Sequence, residues 1–227
     1  MEDRLIITVD GPAGVGKSSV SKALSRRNSY VYLDTGALYR AVAFRVVESK
    51  ISPDDGKAVS KFCESINITL CLANGEMKIL AEGDDITDRL RTEKISSLAS
   101  TVSAIPAVRE ALLPIQRKAA LSGSVIAEGR DMGTVVFPDA DVKFFINADI
   151  GERAKRRYLQ LAKRGVAADF EEIKKGIMVR DRQDTKRNVS PLRPADDAYI
   201  LDTTDMEMME VVEKMANLIR GKTGAGS

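Results

Sequence analysis

The chain of 227 residues is long enough for one domain, or for one domain that carries an inserted lobe. Its hydrophobic content of 44% and charged content of 30% are ordinary for a soluble globular protein, and no apolar run reaches membrane-spanning length. The net charge of +2 does not indicate a general attraction to nucleic acid. Because the chain has no histidine, any reaction at neutral pH must use a carboxylate base or need no base.

The first predicted elements are a strand over residues 5–9 and a helix over residues 18–27, joined by a glycine-rich stretch. That stretch, residues 11–18, matches the P-loop pattern G-x-x-x-x-G-K-[ST]. Its glycines let backbone N–H groups surround a phosphate at a helix N-terminus, where the partial positive charge favours an anion. We expect Lys17 to bind the β- and γ-phosphates of a nucleoside triphosphate and the Ser18 hydroxyl to ligate Mg²⁺. The residues expected to bind this cofactor are Gly11, Pro12, Ala13, Gly14, Val15, Gly16, Lys17, Ser18 and Ser19.

The middle of the chain has a different pattern. A strand over residues 30–33 and helices over about 37–50 and 52–66 precede it. Residues 67–72 then alternate polar and apolar, and a second strand pattern over 77–80 follows Asn74-Gly75, which favours a type I′ turn. A β-hairpin at this point predicts an insertion rather than another strand–helix–strand unit. Two helices, over about 87–104 and 106–121, are predicted after it.

Strand and helix patterns alternate again in the second half. The predicted strands cover residues 124–127, 142–146 and 199–201, and the predicted helices cover residues 152–163, 169–182 and 206–220. Five short strands alternating with helices predict an α/β fold with a doubly wound, five-stranded parallel sheet and right-handed crossovers.

A P-loop alone is compatible with ATPases, GTPases and kinases. The sequence contains no Asn-Lys pair, so it lacks the N-K-x-D motif by which GTPases read guanine. Residues 151–193 carry 13 Lys and Arg against 6 Asp and Glu, which suits a phosphate-binding lid, with a solvated helix face as the alternative. A small-molecule kinase with an acceptor lobe and a cationic lid fits this arrangement best. Cys63 and Cys71 have no metal-site spacing and are expected to be reduced core residues of a cytoplasmic protein, whose N-terminus lacks a signal-peptide pattern.

Three further stretches together resemble the bacterial cytidylate kinases. They are Asp-Thr-Gly-Ala-Leu-Tyr-Arg at 34–40, Glu-Gly-Arg-Asp-Met-Gly-Thr-Val-Val-Phe-Pro at 128–138, and residues 180–191. The resemblance covers nearly the whole chain and implies transfer of the γ-phosphate of ATP to CMP or dCMP with Mg²⁺. It also implies a single P-loop kinase domain over residues 1–227. Its core would cover 1–62 and 105–227, its monophosphate-binding insertion about 63–104, and its helical lid about 151–168.

The resemblance assigns roles to particular positions. Substrate-binding roles fall on Thr35, Tyr39, Arg40, Ser100, Arg109, Arg130, Asp131, Arg180, Asp184 and Arg187. Catalytic roles fall on Lys17, Arg130, Arg153, Arg157 and Arg180, with Arg156 as a further lid candidate. Within the first set, Ser100, Arg109 and Asp131 correspond to the cytosine-reading positions. The alternative is that Arg40, Arg130 and Arg187 form structural ion pairs with Asp34, Asp131 and Asp184.

Two other functions remain open from the residues. The first is a shikimate-kinase-like enzyme that phosphorylates a hydroxyl, for which Asp34 or Asp131 would be the carboxylate base. The second is a nucleotide-dependent binding protein without activity, against which the intact Lys17 and Ser18 argue. Asp10 and Asp34 are the candidates for a carboxylate that supports Mg²⁺. The expected partners are the small molecules CMP and dCMP, with no nucleic acid or membrane partner and a monomeric chain.

Overall fold

The computed structural model describes residues 4–73 and 76–223. Its strands are β1 (Ile6–Asp10), β2 (Val31–Asp34), β3 (Ile68–Ala73), β4 (Glu76–Ala81), β5 (Asp84–Asp85), β6 (Val125–Gly129), β7 (Val142–Asn147) and β8 (Tyr199–Asp202). Its α-helices are α1 (Lys17–Asn28), α2 (Thr35–Glu48), α3 (Gly56–Cys63), α4 (Glu93–Val102), α5 (Pro106–Ala119), α6 (Ile150–Ala162), α7 (Phe170–Lys186) and α8 (Met208–Thr223). Two 3₁₀ turns, Thr87–Leu90 and Ala120–Ser122, and a π-helical segment, Met132–Val136, complete it.

The predicted five-stranded parallel sheet is confirmed. Its strand order is β2-β6-β1-β7-β8, with β1 in the centre. In this register Asp10, the last residue of β1, lies beside Gly129 of β6. The chain therefore leaves β1 and β6 at the same edge of the sheet, which brings the P-loop next to the Arg130-Asp131 segment.

The sheet is covered on both faces, as the doubly wound prediction requires. Ile126 of β6 packs into a core with side chains of α1 and α8, including Leu24 and Met215. Its neighbours Val125 and Ala127 belong to a second core with Met132. Because successive side chains of a strand point to opposite faces, β6 contributes to both layers.

The predicted β-hairpin forms part of a separate antiparallel sheet. Strands β3, β4 and β5 pair in that order, and Ile68 lies opposite Ala81. The predicted type I′ turn at Asn74-Gly75 lies outside the described residues. Buried side chains of β3, β4 and α2 to α5 form one hydrophobic core around Leu38 and Ile79, so this sheet is packed against the α2 side of the molecule.

The predicted helix over 87–104 is divided in the structure. Thr87–Leu90 is a 3₁₀ turn, and α4 begins only at Glu93 because the Thr92 hydroxyl accepts a hydrogen bond from the Ile95 amide as an N-cap. Within residues 4–73 and 76–223, no helix is by itself long and apolar enough to cross a membrane. Only α4 and α5 taken together, across a 104° bend, meet that criterion.

Candidate active site

The P-loop leaves β1 through Gly11, which has a φ of +154°. A Cβ at this position would lie 2.2 Å from the carbonyl oxygen of Ile146 in β7. No side chain fits that contact, so the glycine lets the loop pass directly over the neighbouring strand. The loop ends at Gly16, where α1 begins with Lys17.

Lys17 is buried and folds back onto its own loop. Its amine donates hydrogen bonds to the carbonyl oxygens of Gly11 at 2.8 Å and Pro12 at 2.7 Å. Burial, together with the positive charges of Arg130 and Arg180, holds the pKa of Lys17 well below its usual range. Lys17, Arg130 and Arg180 therefore form one group of basic side chains, which is an arrangement suited to a polyanion.

The α6 arginines occupy three different places. Arg153 is only 8% exposed and donates to the carbonyl oxygens of Ala13 at 3.0 Å and Ala148 at 2.9 Å. Arg156 donates to the Val15 carbonyl at 3.1 Å and to the Thr203 carbonyl at 2.6 Å. Both arginines therefore contact P-loop backbone in this structure.

Arg157, in contrast, contacts α4. It forms an ion pair with Glu93 at the start of α4. Burial and the nearby charges of Arg164 and Arg40 lower its pKa. The side chain therefore joins α6 to α4, within electrostatic reach of Arg40.

At the turn after β6 lies a small cavity of about 50 Å³. We call it the acceptor pocket. It is lined by Thr35, Gly36, Tyr39, Ala99, Ser100, Ser103, Arg109, Gly129, Arg130, Asp131, Arg180, Asp184 and Arg187. Nine of the ten predicted substrate-binding residues are thus brought together from α2, α4, α5, α7 and the turn after β6. Arg40 is not among the lining residues.

Asp131 is bracketed by cations in this pocket. It pairs with Arg109, and the Arg187 guanidinium lies 3.8 Å from its other oxygen. Arg109 itself lies over the Tyr39 ring at 5.3 Å and donates to Ser190 at 3.1 Å. Tyr39 therefore supports the guanidinium that holds Asp131.

Asp184 is the second paired carboxylate of the acceptor pocket. It accepts hydrogen bonds from Ser100 at 3.2 Å and from Arg130 at 2.7 Å. Burial alone would raise its pKa, but the charges of Arg130 and Arg180 lower it. Asp184 is therefore ionised and fixes Arg130 between the P-loop and the pocket.

Arg180 completes this group of cations. Its Nε is buried and has no hydrogen-bond acceptor among the described residues. Burial and the neighbouring Arg130 lower its pKa to about 10. A buried N–H group without an acceptor is costly, and an anion would relieve that cost.

The alternative of structural ion pairs is met in part. Arg40 does pair with Asp34, at 2.7 Å, but Arg187 faces Asp131 instead of the predicted Asp184. Arg130, however, pairs with Asp184 and not with Asp131. The reason is the turn after β6, which directs the two neighbouring side chains to different partners.

Comparison with known proteins identifies this arrangement. The family model for cytidylate kinase matches residues 7–221. The chain belongs to the cytidylate kinase family. A cytidylate kinase from Geobacter sp. (strain M21) is 45% identical over 225 residues, which cover 99% of this chain and 97% of that protein. One from Pasteurella multocida (strain Pm70) is 41% identical and covers 97% of each chain.

A solved structure supports the fold independently of sequence. An uncharacterized protein from Eubacterium ventriosum has a TM-score of 0.50 at 11% identity, and the match covers 95% of this chain and 98% of that one. At that identity the likeness concerns the fold only.

In this member of the cytidylate kinase family, the two carboxylates predicted to support Mg²⁺ are otherwise engaged. Asp10 accepts hydrogen bonds from the amides of Met132 at 2.9 Å and Gly133 at 2.8 Å. Asp34 accepts from the Ala37 amide, as the N-cap of α2, and from Arg40. Both are structural anchors here.

Glu128 is the carboxylate that the sequence reasoning missed. It is buried at the end of β6, where it accepts a hydrogen bond from the Tyr32 hydroxyl and lies close to Ser18, and its Oε2 has no partner among the described residues. Burial and the nearby Asp34 raise its pKa. Glu128 lies near the P-loop because β6 pairs with β1. Knowledge of the strand order would therefore have indicated Glu128, but strand order cannot be read from local sequence.

No group of three or more His, Cys, Asp or Glu in the described part of the chain is arranged to hold a metal ion. A Mg²⁺ ion that binds nucleotide phosphates usually takes one or two protein oxygens and completes its coordination with phosphate and water. The exposed Ser18 hydroxyl and the free Glu128 oxygen fit that donor set.

Proposed function

We propose that this chain transfers the γ-phosphoryl group of ATP to CMP or dCMP, giving ADP and CDP or dCDP. The observation that carries the proposal is Arg180, which lines the acceptor pocket within electrostatic reach of Lys17 and whose buried Nε has no acceptor among the described residues. It provides positive charge where two phosphate groups would meet. The relatives named cytidylate kinase support the choice of acceptor.

The donor half of the site is the P-loop. Its backbone N–H groups and the N-terminus of α1 would bind the ATP phosphates, and Lys17 would leave its own loop carbonyls for them. Mg²⁺, held through Ser18 and supported by Glu128, would neutralise charge on the phosphates.

The acceptor half supplies side chains. Thr35, Arg40 and Arg130 would hold the monophosphate, because arginines can bind phosphate oxygens bidentately. Arg180, Asp184 and Arg187 would surround the sugar and the transferring group. The cytosine would lie against Asp131, Arg109 and Ser100.

The chemistry needs alignment and positive charge more than it needs a base. An ionised oxygen of the monophosphate attacks the γ-phosphorus while the bond to the bridging oxygen breaks and ADP leaves. No proton has to be removed from the attacking oxygen. A chain without histidine and with Lys17, Arg130 and Arg180 close together suits this reaction.

A hydroxyl acceptor, as in a shikimate-kinase-like enzyme, is not favoured. Such a reaction would use Asp34 or Asp131 as a base. Asp34 is occupied by the Ala37 amide and Arg40, and Asp131 is bracketed by Arg109 and Arg187. Each carboxylate therefore serves as the partner of a guanidinium group in this structure, and the relatives that the chain resembles are cytidylate kinases.

A coupled assay of ADP release tests the proposal. The purified chain is given MgATP with CMP, dCMP, UMP, AMP or shikimate, and a reaction without acceptor gives the background. We expect turnover with CMP and dCMP well above the other acceptors. Turnover of shikimate without turnover of CMP would overturn the proposal.

We also propose that the enzyme acts as a cytoplasmic monomer on free nucleotides. Cys63 and Cys71 are both free, which suits a reducing compartment. Light scattering after size-exclusion chromatography should give the mass of one chain, 24.7 kDa. A mass of two chains or more would contradict the monomer.

A further inference from the structure

One face of α7 contacts both halves of the site. Ile177, Asp181 and Asp184 are spaced by four and three residues and therefore lie on the same side of the helix. Ile177 packs against Ala13 of the P-loop, and Asp184 lies in the acceptor pocket. Asp181 lies between these two residues and contacts the P-loop. The sequence alone assigned it no role.

Asp181 holds the backbone of Ala13 together with Arg153. The Ala13 amide donates to Asp181 Oδ1 at 3.0 Å, and the Ala13 carbonyl accepts from an Arg153 nitrogen at 3.0 Å. The same nitrogen pairs with Asp181 Oδ2. Both polar backbone groups of one P-loop residue are thus satisfied by a single ion pair, one member from α6 and the other from α7.

Packing fixes the loop against the same two helices. A Cβ at Gly14 would lie 3.1 Å from the Arg153 carbonyl oxygen and 3.3 Å from Ile177 Cδ1. Ala13, Ala154 and Ile177 form a small buried cluster beneath the loop. The outer wall of the P-loop is therefore the α6–α7 pair.

The charges of this contact must balance. Asp181 lies within electrostatic reach of Arg130 and Arg180, so its carboxylate also lies close to where phosphates would bind. An unpaired carboxylate there would repel a polyanion. Arg153 neutralises it, with 9% of its side chain exposed against 20% for Asp181.

We propose that Asp181 is a positioning residue that, with Arg153, holds the P-loop in the shape that binds the triphosphate. The inference rests on the proposed binding of ATP at this loop. It assigns Arg153 to the same contact, so that the two side chains act as one unit. CMP recognition uses other residues and is not part of this unit.

Steady-state kinetics with both substrates tests the proposal. We expect Asp181→Ala to raise KM for ATP by roughly tenfold, because small misplacements of binding groups carry penalties of this size or more. KM for CMP should change by less than about twofold, because Asp181 is not among the residues that line the acceptor pocket. Asp181→Asn keeps an acceptor for the Ala13 amide and should have a smaller effect. The matched control is Asp139→Asn, at an exposed position in the turn before β7.

A double variant separates positioning from direct phosphate binding. Arg153→Ala leaves Asp181 unpaired, so adding Asp181→Asn should recover part of the lost ATP affinity, measured by titration calorimetry with MgATP. Absence of recovery, or an equal rise of KM for both substrates in Asp181→Ala, would overturn the inference. A wild-type chain that binds no MgATP would instead overturn the proposed function itself.

Discussion

The P-loop and the acceptor pocket solve the same problem by opposite means. The P-loop is one continuous stretch that offers backbone groups, and Lys17, Arg153, Arg156 and Asp181 hold that backbone in place. The acceptor pocket is made of side chains from five parts of the chain that hold one another through ion pairs. Donor binding therefore depends on side chains that hold the P-loop backbone in place. Acceptor recognition depends on ion pairs whose members must exchange their contacts with one another for contacts with the substrate.

The largest effect is expected on the donor side, from Lys17→Ala. Lys17 neutralises charge that grows on the transferring phosphate, so its loss should lower kcat by about a hundredfold to a thousandfold. CMP binding should stay nearly intact, because the acceptor pocket does not depend on this side chain. Coupled ADP release and CMP titration measure the two quantities. Arg26→Ala, exposed on α1, is the control, and an unchanged kcat would refute the role of the P-loop.

On the acceptor side, Asp131 should set the choice of base. Its carboxylate can accept from the amino group of cytosine but opposes the carbonyl that uracil has at the same position. We therefore expect kcat/KM for CMP to exceed that for UMP by at least about a hundredfold. Asp131→Ala should reduce this ratio mainly by lowering CMP turnover.

Asp131 could instead only hold the shape of the pocket, and the ratio of CMP to UMP activity distinguishes this structural role from base reading. Asp131→Ala leaves Arg109 and Arg187 facing each other, so some activity is lost with both nucleotides in any case. Only a change in the CMP to UMP ratio indicates base reading. Asp131→Asn is a milder second variant, and Asp139→Ala should leave the ratio as it is in the wild type.

Between the two regions lies Asp10, and its effect should appear as pH-dependent stability. Burial raises its pKa from 3.8 to about 6 in the folded chain, so the folded state binds a proton more tightly than the unfolded state. The free energy of unfolding should therefore fall by up to about 3 kcal/mol as pH rises from about 4 to 6. Denaturant unfolding across this range should show a smaller decrease for Asp10→Asn than for Asp139→Asn. Equal slopes would contradict the assignment.

The smallest effect is expected from the contact between the regions. Arg157 reaches from α6 toward α4 and Arg40, so Arg157→Ala should lower kcat roughly tenfold with little change in KM for ATP. Lys155→Ala, on the exposed side of the same helix, is the matched control. If the two variants have the same turnover, Arg157 is only a surface ion-pair partner.

The parts of this molecule that sequence could predict are those with a local cause. Residues 11–18 carry their own signal because strand, glycine loop and helix follow one another directly. The acceptor residues were found through family resemblance, and the structure places nine of the ten in one pocket. Arg40 lies outside it because its guanidinium is held by Asp34 at the start of the same helix.

The parts that sequence could not predict depend on distant contacts. Ala13 and Asp181 are 168 residues apart, so no local pattern joins them. Glu128 is adjacent to Ser18 only because β6 pairs with β1. The π-helical segment Met132–Val136 begins where Asp10 accepts hydrogen bonds from its first two backbone amides, which is again a contact between remote parts of the chain.

The face of α7 that contacts the site also limits which insertions and deletions this helix can tolerate. Asp181 contacts the P-loop and Asp184 lies in the acceptor pocket. Because an α-helix rises about 1.5 Å per residue, α7 fixes the distance between these two contacts. One residue inserted between them would turn Asp184 by about 100° and carry it out of the pocket. Substitutions along the exposed side of α7 should therefore be tolerated far better than any insertion or deletion between Ile177 and Asp184.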